Sequence, residues 1–128
     1  MFETTTAAYI FGFLTAVVML FQLALALGAP WGELAMGGKF PGRFPPKLRV
    51  SAIVQMLLLA FAALVVLIRA ELVLESFYEL SKSAIWFVVA LCVVSAILNT
   101  ITPSKKERIL WSPVTIILVV CAVVVARS

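Results

Sequence analysis

Four long apolar runs alternate with three polar segments along this chain. Each run is continuous and carries no formal charge in its interior, and a helix needs about 20 mostly apolar residues to cross the hydrocarbon core of a bilayer. Continuous runs favour helices over the alternating strands of a membrane barrel. The pattern therefore predicts four transmembrane helices, over residues 7–27, 50–68, 84–101 and 109–126.

The composition agrees with this membrane interpretation. Of the 128 residues, 64% are hydrophobic and 12% are charged, whereas a soluble domain carries about 25% charged residues. A soluble chain of this length has too little interior to bury so much apolar surface. We expect one all-α membrane domain over residues 1–128, a bundle of four transmembrane helices with short amphipathic segments at the interface.

The first run has an alternative interpretation as a cleaved signal peptide. The residues before it include Glu3 and no Lys or Arg, and the run is longer than the usual apolar core of a signal. We therefore expect it to remain as a membrane span.

Basic residues are distributed unevenly between the connecting segments. Segments 28–49 and 102–108 carry seven of the ten Lys and Arg residues, and the opposite side carries three. Because basic loops stay in the cytoplasm, this asymmetry places both segments there and both termini outside.

The segment 28–49 is the most distinctive of the three. It holds five of the six glycines and four of the six prolines, which predicts a series of turns rather than a helix. Aromatic residues lie among its basic residues, which suits a loop resting on the headgroup layer of an anionic leaflet. With the segment before the last run, it supplies nine candidate headgroup contacts: Trp31, Lys39, Arg43, Lys47, Arg49, Lys105, Lys106, Arg108 and Trp111.

The other two segments predict short interfacial helices. After the second run, glutamates recur at four-residue steps, which is typical of one face of an amphipathic helix, either along the outer interface or as an extension of the second span: Glu71, Glu75 and Glu79. Before the last run, Ser104 and Glu107 match the capping box S-x-x-E. A helix that begins at Ser104, follows the interface and kinks near Pro113 is expected.

Polar residues inside the runs are few, and four of them come from four different helices near the basic segments. They are Gln22, Gln55, Asn99 and Thr115. Intramembrane polar groups often mark function, so these residues predict a polar pocket at the cytoplasmic end of the bundle. Nearby basic residues would give it cationic walls suited to a lipid headgroup or a small anion. The alternative is that the amides only join helices by hydrogen bonds.

The remaining residues offer little chemistry. There is no histidine, which removes the usual neutral-pH acid–base group, and we expect no metal and no cofactor. Cys92 and Cys121 lie in apolar runs and are expected to be buried thiols, with a disulfide between neighbouring helices as the alternative. Small residues at Ala8, Gly12 and Ala16 predict close helix packing within the bundle, or else a homodimer seam.

The pairing of GAPWGELAMGG…FPPKLR after the first run with NTITPSKKERILWSPV before the last is similar to a group of small bacterial four-helix integral membrane proteins without an assigned activity. The resemblance covers nearly the whole chain. It implies a multi-pass protein of the bacterial inner membrane and implies no activity.

The sequence therefore favours a non-enzymatic membrane protein with an accessory role, which binds lipid or a partner protein. Its expected partners are membrane lipids, mainly anionic, and another membrane protein or a second copy of the chain. Nucleic acid is not expected, because the basic residues flank membrane spans. The alternative is a small homo-oligomeric transporter or channel. A membrane enzyme ranks third, since Glu33, Glu107 and the outer glutamates would be its only acids and bases.

Overall fold

The structure, a computed structural model, describes residues 3–128. Within that range the chain forms four long α-helices and no strand, and each helix is long and apolar enough to span a membrane. The helices are α1 (Thr4–Ala26), α2 (Pro46–Arg69), α3 (Tyr78–Ile101) and α4 (Lys105–Ala126). The predicted all-α bundle of four spans is confirmed, and each helix extends a few residues beyond its predicted apolar run.

The four helices are packed as a closed ring. Each helix contacts the one before it in the chain, and α4 also packs on α1. One end of the bundle carries the connections 27–45 and 102–104 with the basic residues beside them, and we call it the basic end. The opposite end, where residues 70–77 connect α2 to α3, is the far end.

The main hydrophobic core lies toward the far end. Small and β-branched residues from all four helices meet there and are almost fully buried, among them Ala7, Val66, Ile85, Val88, Ala122 and Val125. Large apolar residues on the outer faces, such as Phe13 and Leu20, are exposed, as expected for surfaces that face lipid. Cys92 and Cys121 are both free and buried in this core.

The stripe of small residues on α1 only partly contributes to packing. Ala8 is fully buried, but Ala16 is exposed. A Cβ built on Gly12 meets no atom within 4 Å, so no other helix approaches closely at that position. The predicted close packing is therefore present at Ala8 and absent along the rest of the stripe.

The connection at the far end corrects the predicted amphipathic helix. The Leu72 N–H donates to the Leu67 carbonyl and the Glu71 N–H donates to the Ile68 carbonyl, which is the Schellman arrangement that ends α2. Glu71 takes the left-handed conformation usual for glycine in this motif, with φ of 64°. Leu74 is also left-handed, with φ of 42°, so the three glutamates do not share a helical face.

The start of α4 confirms the predicted cap at Ser104. The Ser104 hydroxyl accepts a hydrogen bond from the Glu107 N–H at 3.2 Å. The helix then continues from Lys105 to Ala126 with Pro113 inside it, so no break separates the residues before the proline from those after it. α4 packs against both α1 and α3.

The long loop at the basic end consists of turns, as predicted. It contains two short 3₁₀ turns, Gly32–Leu34 and Met36–Gly38, and is irregular elsewhere. A Cβ on Gly32 would lie 1.9 Å from the Phe40 carbonyl oxygen, so the backbone of this loop folds closely onto itself. Phe44 is buried against Leu25 and Ala52, which anchors the end of the loop to α1 and α2.

Candidate functional site

A cavity of about 220 Å³ lies between the four helices and extends from the basic end past the middle of the bundle, where Phe11, Ala62 and Leu118 line it. All four helices and the long loop contribute to its wall. For comparison, an engineered apolar cavity of about 150 Å³ binds benzene, so this space is large enough for a small organic group.

The four polar residues expected to form a pocket all line this cavity. The Gln22 side-chain amide donates to the Gln55 carbonyl oxygen at 3.2 Å and joins α1 to α2. Asn99 and Thr115 instead bond to the backbone of their own helices, Asn99 to the Ser95 carbonyl and Thr115 to the Trp111 carbonyl. An interhelical hydrogen bond therefore accounts for the glutamine pair, but Asn99 and Thr115 make no such bond between helices.

The exposed residues of the cavity lining lie mainly on two neighbouring helices. Gln55 and Leu58 of α2 and Ser95 of α3 are exposed, as is Met36 of the long loop, whereas Gln22 and Thr115 on the other two helices are buried. The chain connects α2 to α3 only at the far end. The cavity lining is therefore most accessible on the α2–α3 side of the bundle and beside the loop.

Glu107, expected as part of a helix cap and as one of the few acids of the chain, is also a cavity residue. Its side chain is 6% exposed and lies in the cavity wall, where Oε2 accepts a hydrogen bond from the Gly37 N–H at 3.1 Å. The reciprocal half of the capping box is absent, because the Ser104 N–H donates to the Thr102 hydroxyl instead. No sequence signal pointed to this role, since it depends on a contact between residues 70 positions apart.

The long loop closes the basic end of the cavity. The Trp111 ring N–H donates to the Leu34 carbonyl at 3.0 Å, and the ring packs on Phe21 with centroids 4.7 Å apart. The Ser104 hydroxyl donates to the Glu33 carbonyl at 2.9 Å. These bonds fold the loop over the start of α4 rather than outward onto a headgroup layer.

The predicted cationic walls are wrong for the described residues. The charged residue in the cavity wall is Glu107, an acid. Lys106 pairs with Glu33 at 2.9 Å on the surface, and the Arg108 guanidinium donates to the Thr102 carbonyl. The Arg49 guanidinium is held by the Phe44 carbonyl at 2.9 Å. Basic side chains near the cavity are thus directed to the loop and the helix ends.

The nine candidate headgroup contacts divide into three groups. Trp111 is 8% exposed and hydrogen-bonded inside the bundle, so its predicted position at the headgroups is wrong. Arg49 is half-buried. The other seven are exposed around the basic end: Trp31, Lys39, Arg43, Lys47, Lys105, Lys106 and Arg108.

The far end carries a second buried charged residue, Arg69. Its guanidinium donates to the Tyr78 hydroxyl at 3.2 Å and to the Ser128 carbonyl, and it lies 5.4 Å from the centre of the Tyr78 ring. Its Nε is buried without a partner among the described residues. These contacts tie the start of α3 and the end of α4 to α2.

Comparisons with protein-family models, with curated proteins and with solved structures found no match for this chain. Within residues 3–128 there is also no group of three or more acidic, Cys or His side chains arranged to hold a metal ion.

Proposed function

We propose that this protein is a non-enzymatic membrane protein that binds one compact amphipathic molecule, which reaches the cavity from the surrounding lipid. The observation that carries the proposal is a cavity with polar and apolar walls whose exposed lining residues lie mainly on α2 and α3, and we place its entrance between these two helices. Ligand sites of proteins combine an apolar lining with a few placed polar groups in this way.

Polar and apolar surfaces are arranged in the cavity to suit such a molecule. The Gln22–Gln55 pair and Asn99 provide hydrogen-bonding groups, while Phe11 and Leu118 line the wall toward the core. A molecule that enters from the lipid can leave its apolar part near the opening and place its polar part among the amides.

The alternative of a small homo-oligomeric transporter or channel is less favoured by this geometry. The cavity does not reach the far end, where residues such as Ala7, Val66 and Ile85 are fully buried against one another. A single chain therefore supports binding better than passage, and a path across the membrane would need a second copy.

Fluorescence quenching of Trp111 tests the binding proposal. The substitutions Trp31→Phe and Trp86→Phe leave Trp111 as the single tryptophan, and it lines the cavity. In phosphatidylcholine nanodiscs, 4-bromobenzyl alcohol is expected to quench this fluorescence with a saturating dose response, because its bromine reaches the indole only inside the cavity.

A matched pair of variants controls for contact with lipid-dissolved probe. Ser95→Phe narrows the opening from its exposed rim, whereas Val94→Phe adds the same ring one residue away, outside the cavity lining. We expect saturable quenching to be lost in Ser95→Phe and kept in Val94→Phe. A linear response that is the same in both variants would rule the binding function out.

We also propose that the basic end faces the cytoplasm of a bacterial inner membrane and contacts anionic lipid there. Exposed Lys39, Arg43, Lys47 and Lys105 at this end support the proposal, since each basic group contributes about 1 kcal/mol near such a surface. Cysteine labelling tests the orientation at two exposed positions, Pro41→Cys and Ser76→Cys. An impermeant thiol reagent added to intact cells should label position 76 and not position 41, and the reverse pattern would overturn the orientation.

A further inference from the structure

We propose that the group recognised in the cavity is an ammonium carried on an apolar body, and that the Glu107 carboxylate binds it. This inference rests on the proposed function, because it names the ligand chemistry for the same cavity. The argument depends on the charge of Glu107, on the hydrogen-bonding groups left free around it and on the size of the space.

Glu107 is a buried carboxylate without a cationic partner among residues 3–128. Its side chain is 6% exposed, and neither ion pair of the described residues includes it. The nearest basic residues in sequence are occupied elsewhere, Lys106 by Glu33 and Arg108 by the Thr102 carbonyl. Burial of an uncompensated charge is costly, so a cation that enters the cavity would gain a strong partner.

One oxygen of this carboxylate has a structural role, and the other oxygen has none among the described residues. Oε2 accepts the Gly37 N–H and helps to hold the loop, and the N-terminus of α4 offers a partial positive charge to the same side chain. Oε1 makes no hydrogen bond within the described part of the chain. It is the atom that an ammonium in the cavity would reach.

The cavity wall offers side-chain oxygens that an ammonium could use. Gln22 donates one N–H to Gln55 and Asn99 donates one N–H to the Ser95 carbonyl, so the side-chain oxygens of Gln22 and Asn99 stay free, together with the remaining amide N–H groups. The Trp111 N–H is already bonded to Leu34. An ammonium has three donors and can bond to these oxygens and to Glu107, whereas the negative charge of Glu107 opposes a phosphate or carboxylate.

Three probes with the same brominated ring measure the preference directly. They are 4-bromobenzylamine, 4-bromobenzyl alcohol and 4-bromobenzoate, which differ only in the polar group and suit a cavity of about 220 Å³. Quenching of Trp111 in the single-tryptophan protein gives an apparent affinity for each probe in phosphatidylcholine nanodiscs. We expect the amine to bind at least about tenfold more tightly than the alcohol, and the benzoate to bind weakest.

The variant Glu107→Gln isolates the charge. Glutamine keeps an acceptor for the Gly37 N–H, so the loop stays anchored, while the negative charge is lost. The matched control is Glu33→Gln, which removes the same charge from an exposed carboxylate outside the cavity wall. The amine-to-alcohol ratio of affinities should fall to about one in Glu107→Gln and stay unchanged in Glu33→Gln. Because the partitioning of each probe into the membrane is the same for every variant, it cancels when the ratio is compared between variants.

The outcomes separate this inference from the proposed function. If no probe quenches Trp111 saturably, the binding function itself fails. If the alcohol binds saturably and the amine has no advantage, or keeps its advantage in Glu107→Gln, the ammonium assignment alone is overturned.

The ammonium has two natural sources, an aminophospholipid headgroup and a free lipophilic amine. Nanodiscs that contain phosphatidylethanolamine distinguish them. A lower apparent affinity for the amine probe in these nanodiscs, and no such loss in Glu107→Gln, would identify the lipid headgroup. An unchanged affinity would identify a free amine, and both results support the assignment of Glu107.

Discussion

At the far end of the bundle, Ala7, Val66, Ile85 and Val125 from four helices are fully buried against one another, whereas near the basic end the same four helices enclose a cavity of about 220 Å³. The short connection 70–77 holds α2 and α3 together at the far end. Near the basic end these two helices belong to different connections and leave an opening. Chain connectivity and side-chain size together thus give a closely packed core at the far end and a cavity toward the basic end.

The two halves also differ in how they hold their buried charges. Arg69 at the far end bonds to Tyr78 and to the Ser128 carbonyl and ties three helices together, with its Nε left without a partner among the described residues. The Glu107 side chain near the basic end accepts one hydrogen bond, from the Gly37 N–H, and lines the cavity. The two buried charges therefore differ in that open space adjoins Glu107.

The largest expected effect on stability concerns the long loop that closes the basic end of the cavity. Gly32→Ala would place a Cβ 1.9 Å from the Phe40 carbonyl oxygen, so the loop backbone must move. We expect a loss of about 3 kcal/mol in the free energy of unfolding, typical of severe overpacking. Equilibrium unfolding in mixed micelles measures it.

The control is Gly12→Ala, which adds a Cβ to open space on α1. It should leave stability unchanged or raise it by up to about 1 kcal/mol, because glycine disfavours a helix. Equal losses in the two variants would mean that the loop is not closely packed over the basic end.

Truncation of matched apolar side chains compares the packed core with the cavity wall directly. Ile85→Ala removes packing from a fully buried site, and we expect a loss of about 2 kcal/mol. Leu91→Ala removes a side chain of the same size from the cavity wall, where part of its surface already lacks neighbours. The loss there should be less than about 1 kcal/mol. Losses of similar size, measured by the same unfolding experiment, would show that the cavity is filled by packing in the membrane.

The smallest effect concerns the caps of α1 and α2, which share the Schellman arrangement. Gly28 takes the left-handed position at the end of α1, with φ of 100°, and Glu71 takes it at the end of α2, with φ of 64°. Glu71→Gly should stabilise the protein by about 0.5 kcal/mol, since it relieves a conformation that costs side-chain-bearing residues energy. Glu75→Gly, outside the left-handed region, should stabilise nothing. A destabilised Glu71→Gly variant would mean that the carboxylate has a role beyond the turn.

The two helix caps show which turns could be predicted from local sequence and which could not. Glycine at position 28 is the usual residue for a left-handed cap, and the turns of the following loop were predictable from its glycines and prolines. Glu71 carries no such signal, and the four-residue spacing of the glutamates favoured a helix instead. The backbone leaves the helix there because Leu67 and Leu72 pack on the core from both sides of the turn.

The sequence predicted four polar residues of the candidate site, but it did not predict the charge that lines the cavity. Gln22, Gln55, Asn99 and Thr115 stood out because polar groups are rare in apolar spans, and all four line the cavity. Glu107 and Trp111 were assigned to a cap and to the headgroup layer. Their positions in the cavity wall depend on contacts with Gly37 and Leu34, which lie more than 65 positions away in the chain.

The sequence by itself determined the four spans, their order and the asymmetry of charge between the two ends, because hydrophobicity and charge act on each segment independently of its neighbours. Only the tertiary structure decided where the cavity lies, which of its lining residues are exposed and which sign of charge lines the cavity. These properties depend on how far apart packed helices stand and on which partner each polar group finds across the bundle. The resulting arrangement, an acidic wall inside a ring of basic residues, is opposite to what the charges along the chain indicated.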